Sequence, residues 1–270
     1  MICRVCFHHC DLKEGGRGFC GARTVRDGVN VNLNYGEITG LALDPIEKKP
    51  LAMFHPGSMI LSLGSWGCNM RCPWCQNDHI SRGPVRSVRV TPEQIIRRAL
   101  ELRSEGNIGI AYTYNEPLIM PEIIRDTAFP ARGAGLKNVL VTNGMADPAM
   151  LQELLPAIDA LNIDLKTIRA DRYAKIGGDL ATVLENLRMA SQSAHVEVTT
   201  LIVPGFNDSD AEMETLARTL AEISPEIPLH VTRFFPAGEM LSTPPTPVRT
   251  IYHLAELARK SLKHVFVGNC

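Results

Sequence analysis

From Met59 to the C-terminus, short apolar runs alternate with longer stretches of helical periodicity. Met59–Leu63, Ile108–Thr113, Asn138–Thr142, Ile158–Leu165, Val196–Val203 and Leu229–Phe234 have the length and β-branched content of buried strands, and His264–Val267 is a shorter one. Thr91-Pro92-Glu93-Gln94 predicts a helix start, with Thr91 as N-cap, Pro92 at the first helical position and Gln94 closing a capping box. Further helices are predicted over Leu118–Ala128, Pro148–Leu155, Leu180–Ser193, Ser209–Glu222 and Pro247–Leu262. Pro130 should end the helix before it or kink a longer one. Strand–helix units in series call for parallel strands with right-handed crossovers, so the expected fold is α/β: a partial (β/α)6 TIM-like barrel over residues 58–270. Residues 1–57 differ, being rich in Cys and Gly with strand-like runs such as Val29–Tyr35, and are expected to form a small Cys-rich metal-binding segment.

In barrels of this kind reactive residues sit at the C-terminal ends of strands. Period two along Ile158–Lys166 puts Asn162, Asp164 and Lys166 on one face and Ile163 and Leu165 on the other. The polar face is expected to line the barrel mouth; a purely structural ion pair between Asp164 and Lys166 is the alternative. Glu197 and Thr199 divide from Val196 and Val198 in the same way.

A formal net charge of −1 argues against a broad nucleic-acid or anionic-membrane footprint. The cysteine-bearing stretch Met1–Cys20 is no secretory signal, and no run approaches the ~20 apolar residues of a membrane span. A soluble, cytoplasmic protein without membrane or nucleic-acid partners is expected. Tight cysteine clusters in such a chain favour metal over disulfides.

Cys68, Cys72 and Cys75, spaced C-x3-C-x2-C, follow directly after the first barrel strand. Thiolates are soft ligands that select iron–sulfur clusters or zinc, and three on one loop can hold three irons of a 4Fe–4S cube with one iron left open. A zinc site borrowing a fourth ligand such as His79 is the bland alternative. Cys3, Cys6, Cys10 and Cys20 form a second candidate metal site, with His8 and His9 as substitutes and turns supplied by Gly15, Gly16 and Gly18. It suits either a structural zinc or an auxiliary iron–sulfur cluster. Cys270 is expected to be a free thiol on the tail.

Together the triad, Asp44-Pro45-Ile46-Glu47-Lys48-Lys49-Pro50, Thr113-Tyr114-Asn115-Glu116-Pro117, Asp164-Leu165-Lys166, Val203-Pro204-Gly205 and Val267-Gly268-Asn269 carry a resemblance over nearly the whole chain. It resembles the radical S-adenosylmethionine superfamily, within the pyruvate formate-lyase-activating-enzyme-like group, and closer still the radical enzymes of the AmmeMemoRadiSam system. The resemblance implies a 4Fe–4S cluster on the triad and S-adenosylmethionine at the open iron. It places Trp74 against the adenine, Glu116 near the methionyl amino group, and Asp164 and Lys166 against the cofactor. Asn115 stands where the family has glycine, and Gln76 joins the cofactor-binding set. A family histidine of the last barrel strand falls at Phe235, with His230 nearby as its stand-in. One electron from a flavodoxin or ferredoxin would then cleave the sulfonium to a 5′-deoxyadenosyl radical that abstracts hydrogen from a substrate. A protein substrate is the leading implication; a small metabolite, or electron transfer without catalysis, are the alternatives.

Overall fold

A computed structural model describes residues 1–270. The chain opens as an irregular cysteine-bearing segment, followed by a hairpin of β1 (Arg23–Arg26) and β2 (Val29–Asn32). Asp27 and Gly28 join these strands with φ of 52° and 72°, the left-handed pair that a tight hairpin turn demands. β3 (Glu37–Ile38) precedes β4 (Gly40–Pro45), which runs antiparallel to β5 (Met59–Gly64). After the short α1 (Asp78–Ser81), β6 (Val88–Arg89) pairs back onto β3.

The expected alternation then unfolds: α2 (Pro92–Glu101), β7 (Asn107–Tyr112), α3 (Pro121–Gly133), β8 (Lys137–Thr142), α4 (Pro148–Leu154) and β9 (Ala160–Asp164). It continues through α5 (Ala170–Lys175), α6 (Leu180–Ser191), β10 (His195–Ile202), α7 (Asp210–Ile223), β11 (Leu229–Arg233), α8 (Val248–Ala258) and β12 (Val265–Gly268). The sheet order is β4-β5-β7-β8-β9-β10-β11-β12, parallel from β5 onward, and its two edge strands do not pair with each other. This is an open, partial barrel with one antiparallel strand added at its leading edge.

Thr91, Pro92 and Gln94 form the predicted capping box. Pro130 does not stop its helix: α3 runs three residues further, with Pro130 on the exposed side, where water is free to satisfy the carbonyl that its missing N–H leaves. The last helix ends at Ala258, short of the expected Leu262, and α5 was not anticipated.

Period two sorts the strands as expected. Leu61, Leu63, Leu161, Ile163, Val198 and Val231 face the helices within the main core, while Ile60, Ala111, Val139 and Ala160 face inward. The inward set is filled from below by Ile46, Leu51 and Phe54, so the segment after β4 plugs the barrel floor. Residue 57 is therefore no break in packing, because β4 and this plug belong to the barrel.

Glu197 fastens the plug. Its buried carboxylate accepts the N–H groups of Ala52 (2.9 Å) and Met53 (2.8 Å), and Nε2 of His195 (2.9 Å) and of His230 (2.6 Å) bonds to it as well. Asn162 adds a bond from Nδ2 to the Pro50 carbonyl. Burial alone would raise the Glu197 carboxyl; the hydrogen bonds outweigh it and hold the group down at about 2. Glu197→Ala strands these donors and should cost about 3–5 kcal/mol at pH 7, read from the urea midpoint. Wild-type protein holds this advantage above the ordinary value of 4.5 and loses it as pH falls through about 2, so the two proteins should converge there. An undiminished difference at pH 2 would rule out the carboxylate as its source.

Candidate metal centre

The cysteine loop leaves the C-terminal end of β5 without regular structure, so neighbouring side chains hold its shape. Asn115, just after β7, accepts the Ser65 N–H at 2.8 Å and donates to the carbonyls of Trp66 (3.3 Å) and Gly67 (3.1 Å). Gly67 has φ of +91°, and a Cβ there would lie 2.8 Å from the Cys20 carbonyl, so only glycine fits. Arg71 donates to the carbonyls of Cys68, Met70 and Phe19, with its guanidinium over the Phe19 ring. The fully buried Asn69 accepts from Asn143 Nδ2 at 2.8 Å. From the opposite side, the loop after β11 closes down: Glu239 N–H reaches the Pro73 carbonyl at 2.7 Å, and Gly238 sits where a Cβ would collide with it.

The thiols of Cys68, Cys72 and Cys75 are half-buried on this loop. The Met70 N–H points at Cys68 Sγ (3.4 Å), Asn143 Nδ2 lies 3.8 Å from the same sulfur, and Cys75 Sγ is 3.7 Å from Ser81 Oγ. Burial pushes the Cys68 thiol well above its ordinary range, and the neighbouring Glu116, Cys72 and Cys75 push it further. Burial also takes Cys72 up to about 11, against the pull of the Lys166 ammonium. Such thiols ionise readily only beside strong positive charge, which a metal supplies. No three His, Cys, Asp or Glu side chains converge on one ion-sized point. A cube of irons instead asks each thiolate to meet its own iron at a separate corner. His79 is exposed on α1.

Asp164 and Lys166 pair at 2.6 Å beside Cys72, at the C-terminal end of β9. Trp74 is 5% exposed and packed on Phe206, ring centroids 4.5 Å apart, which leaves the indole inside the core. Gln76 is exposed and makes no side-chain hydrogen bond. Glu116 also faces the protein: it accepts from Thr142 Oγ1 (2.6 Å), Asn143 N–H (2.8 Å) and Leu118 N–H (2.9 Å). Burial raises its carboxyl to about 7 against these bonds. The side chains of Asn115 and Glu116 are thus committed to holding loops. Between β7 and Asn115, Tyr114 adopts φ of +71° and lays its ring over Gly40 and Gly64, with its hydroxyl on Asp44 at 2.8 Å. His230, the nearby stand-in for the family histidine, is bonded to Glu197 at the floor, and Phe235 follows β11 with the Arg233 guanidinium over its ring.

Cys3, Cys6 and Cys20 are buried and Cys10 half-buried in the N-terminal segment, while Cys270 is exposed. His8 bonds the Asn69 carbonyl at 2.9 Å and His9 bonds Asp147 at 2.8 Å. A cleft of about 320 Å³ between this segment, α3 and α4 lies away from the triad. Asn69, Arg71, Asn143 and Gly238 escaped the sequence analysis. Asn143 alone had a usable signal, standing directly after a barrel strand.

The sequence profile of the Radical SAM superfamily matches residues 65–220, more than half of the chain and all of the triad. The chain belongs to this superfamily. An uncharacterised protein of Methanocaldococcus jannaschii is 40% identical over 99% of this radical SAM chain and 80% of its own length. The benzylsuccinate synthase activating enzyme of Thauera aromatica is 25% identical, over 67% of this chain and 57% of its own. In fold, SuiB of Streptococcus suis bound to its precursor peptide SuiA matches with a TM-score of 0.62 at 13% identity, over 83% of this chain and 51% of that one. The chain therefore spans little more than half of these last two proteins. Radical SAM membership implies an iron–sulfur cluster and S-adenosylmethionine. Three half-buried thiols with amide donors aimed at Cys68 fit an anionic cluster.

Asn115→Ala leaves the Ser65 N–H buried without an acceptor and should lower stability by about 1–3 kcal/mol. Iron retained after anaerobic desalting should fall with it. Wild-type values for both measurements would remove Asn115 from its loop-holding role.

Proposed function

We propose that Cys68, Cys72 and Cys75 hold a 4Fe–4S cluster whose remaining iron takes S-adenosylmethionine, and that the enzyme modifies or activates a protein substrate. The observation carrying this reading is the triad's position at the C-terminal mouth of the barrel, beside the Asp164–Lys166 pair. When bound, the cluster supplies the electron that cleaves S-adenosylmethionine to methionine and a 5′-deoxyadenosyl radical, with a flavodoxin or ferredoxin as its source. The protein's own contribution is positioning and exclusion of water. The Lys166 ammonium offsets negative charge next to Cys72, and Asp164 keeps that ammonium in place. Packing of Trp74 on Phe206 fixes the turn that presents Cys75, while Glu116 and Asn115 set the loops around the triad.

Two features favour a protein substrate. The plug closes the barrel floor, which leaves the mouth as the way in. In the loop that follows β11, Phe235 and Leu241 are 40% and 72% exposed, apolar surface suited to contact with a partner. The likeness to an activating enzyme points the same way.

Anaerobic protein given S-adenosylmethionine and a one-electron reductant should form 5′-deoxyadenosine. Cys72→Ala should reduce that product to background while far-UV circular dichroism stays native. Cleavage at the wild-type rate in the variant would end this assignment.

A further inference from the structure

Between the floor and the triad, the barrel interior carries polar groups that neither of them uses. β9 and β10 turn Asn162, Asp164, Glu197 and Thr199 inward; Asn162 pairs with Glu197, and Asp164 with Thr199. Asn162 is 1% exposed and Thr199 7%. Asn162 Nδ2 donates to the Pro50 carbonyl at 2.8 Å, which fixes the amide and leaves Oδ1 as an acceptor. That Oδ1 bonds no protein group, and neither does Thr199 Oγ1. A buried polar atom left unpaired destabilises a fold, so two on one inward face call for a reason.

The charged groups of this lining are already matched. Asp44 holds Lys49 (2.9 Å), Lys48 (3.4 Å) and the Tyr114 hydroxyl (2.8 Å), Asp164 holds Lys166, and Glu197 has its four donors. Tyr114 is kept along the β4–β5 wall. Its φ of +71° is rare for a bulky residue, and its ring lies over Gly40 and Gly64, which pair across the two strands. A Cβ on Gly64 would stand 2.7 Å from that ring. Val141, the β8 partner of Asn162, is half-buried on the same inward face and packs on neither apolar cluster of the sheet. What remains for recognition is neutral: one acceptor, one hydroxyl and one apolar side chain.

We propose that Asn162 and Thr199 bind one peptide group of the substrate, with Asn162 Oδ1 accepting its N–H and the Thr199 hydroxyl donating to its carbonyl. Strands about 4.8 Å apart and a step of two residues separate the pair by roughly 8 Å. A single –CO–NH– unit hydrogen-bonded at both ends, at about 2.9 Å per bond, spans that distance. A charged metabolite finds no unmatched opposite charge here, whereas a backbone amide finds both its partners. The inference rests on the reading of the mouth as the entry for a protein substrate, and it names the residues that would hold the entering chain.

The test uses two neutral probes, N-acetylglycine methyl ester and methyl acetoxyacetate, in which oxygen replaces the N–H. Each is titrated calorimetrically into the full chain, kept anaerobic and without S-adenosylmethionine. The amide should bind about tenfold tighter than the ester analogue, and Thr199→Val should weaken the amide by about tenfold. Thr199→Ser, which keeps the hydroxyl, should bind as wild type does. The melting temperature of Thr199→Val should equal or exceed that of wild type, because the hydroxyl has no protein partner to lose. Equal binding of the two probes, no saturable binding of either, or wild-type affinity in Thr199→Val would overturn the proposal. A lower melting temperature with unchanged affinity would make the hydroxyl structural instead. The titration needs neither reductant nor cofactor, so its failure is separate from any failure to form 5′-deoxyadenosine.

Discussion

The site depends on a pair of neighbouring side chains at the end of β7. The cysteine loop has no secondary structure of its own, so its backbone N–H and carbonyl groups need partners from elsewhere. Asn115 takes up three of them at Ser65, Trp66 and Gly67, while Glu116 ties the turns after β7 and β8 together through Leu118, Thr142 and Asn143. Asn143 in turn reaches Cys68 and Asn69. A short polar network thus transmits the rigidity of the parallel sheet to three thiols that must be presented in a set geometry. Buried networks of this kind are worth their desolvation only when their members are paired, and the side chains of Asn115, Glu116, Asn143 and Asn69 all find partners.

The floor is built on a similar principle with the opposite purpose. Glu197 gathers two plug N–H groups and two histidines on a single carboxylate, and Asn162 holds Pro50 from the neighbouring strand. The lower barrel is thereby filled and fastened, which leaves chemistry to the C-terminal mouth. There the triad, the Asp164–Lys166 pair and the loop after β11 meet. The cysteine segment that precedes the barrel belongs to the same construction, since Cys20, His8 and Phe19 all pack on the triad loop.

Much of this was legible in the residues. Apolar periodicity located the strands from β5 to β12, the capping box located α2, and cysteine spacing singled out the triad, because these signals are local and each has its own physical cause. The inward face of β9 followed from period two alone. The end of α8 was misjudged, and of the two outcomes expected at Pro130 the helix end did not occur, since solvent exposure decides whether a helix tolerates a proline, and exposure is a tertiary property.

What the sequence determined by itself was the class of architecture and the donor atoms: alternating strands and helices, and soft sulfur ligands on a loop after the first barrel strand. The tertiary structure decided which polar groups remain free to act. Asn115, Glu116, Trp74 and His230 resemble or neighbour cofactor-binding positions by their place in the chain. The fold commits their side chains to loop, core and floor. Hydrogen bonding and packing capacity is spent between residues distant in sequence, and no local pattern records how it is allotted.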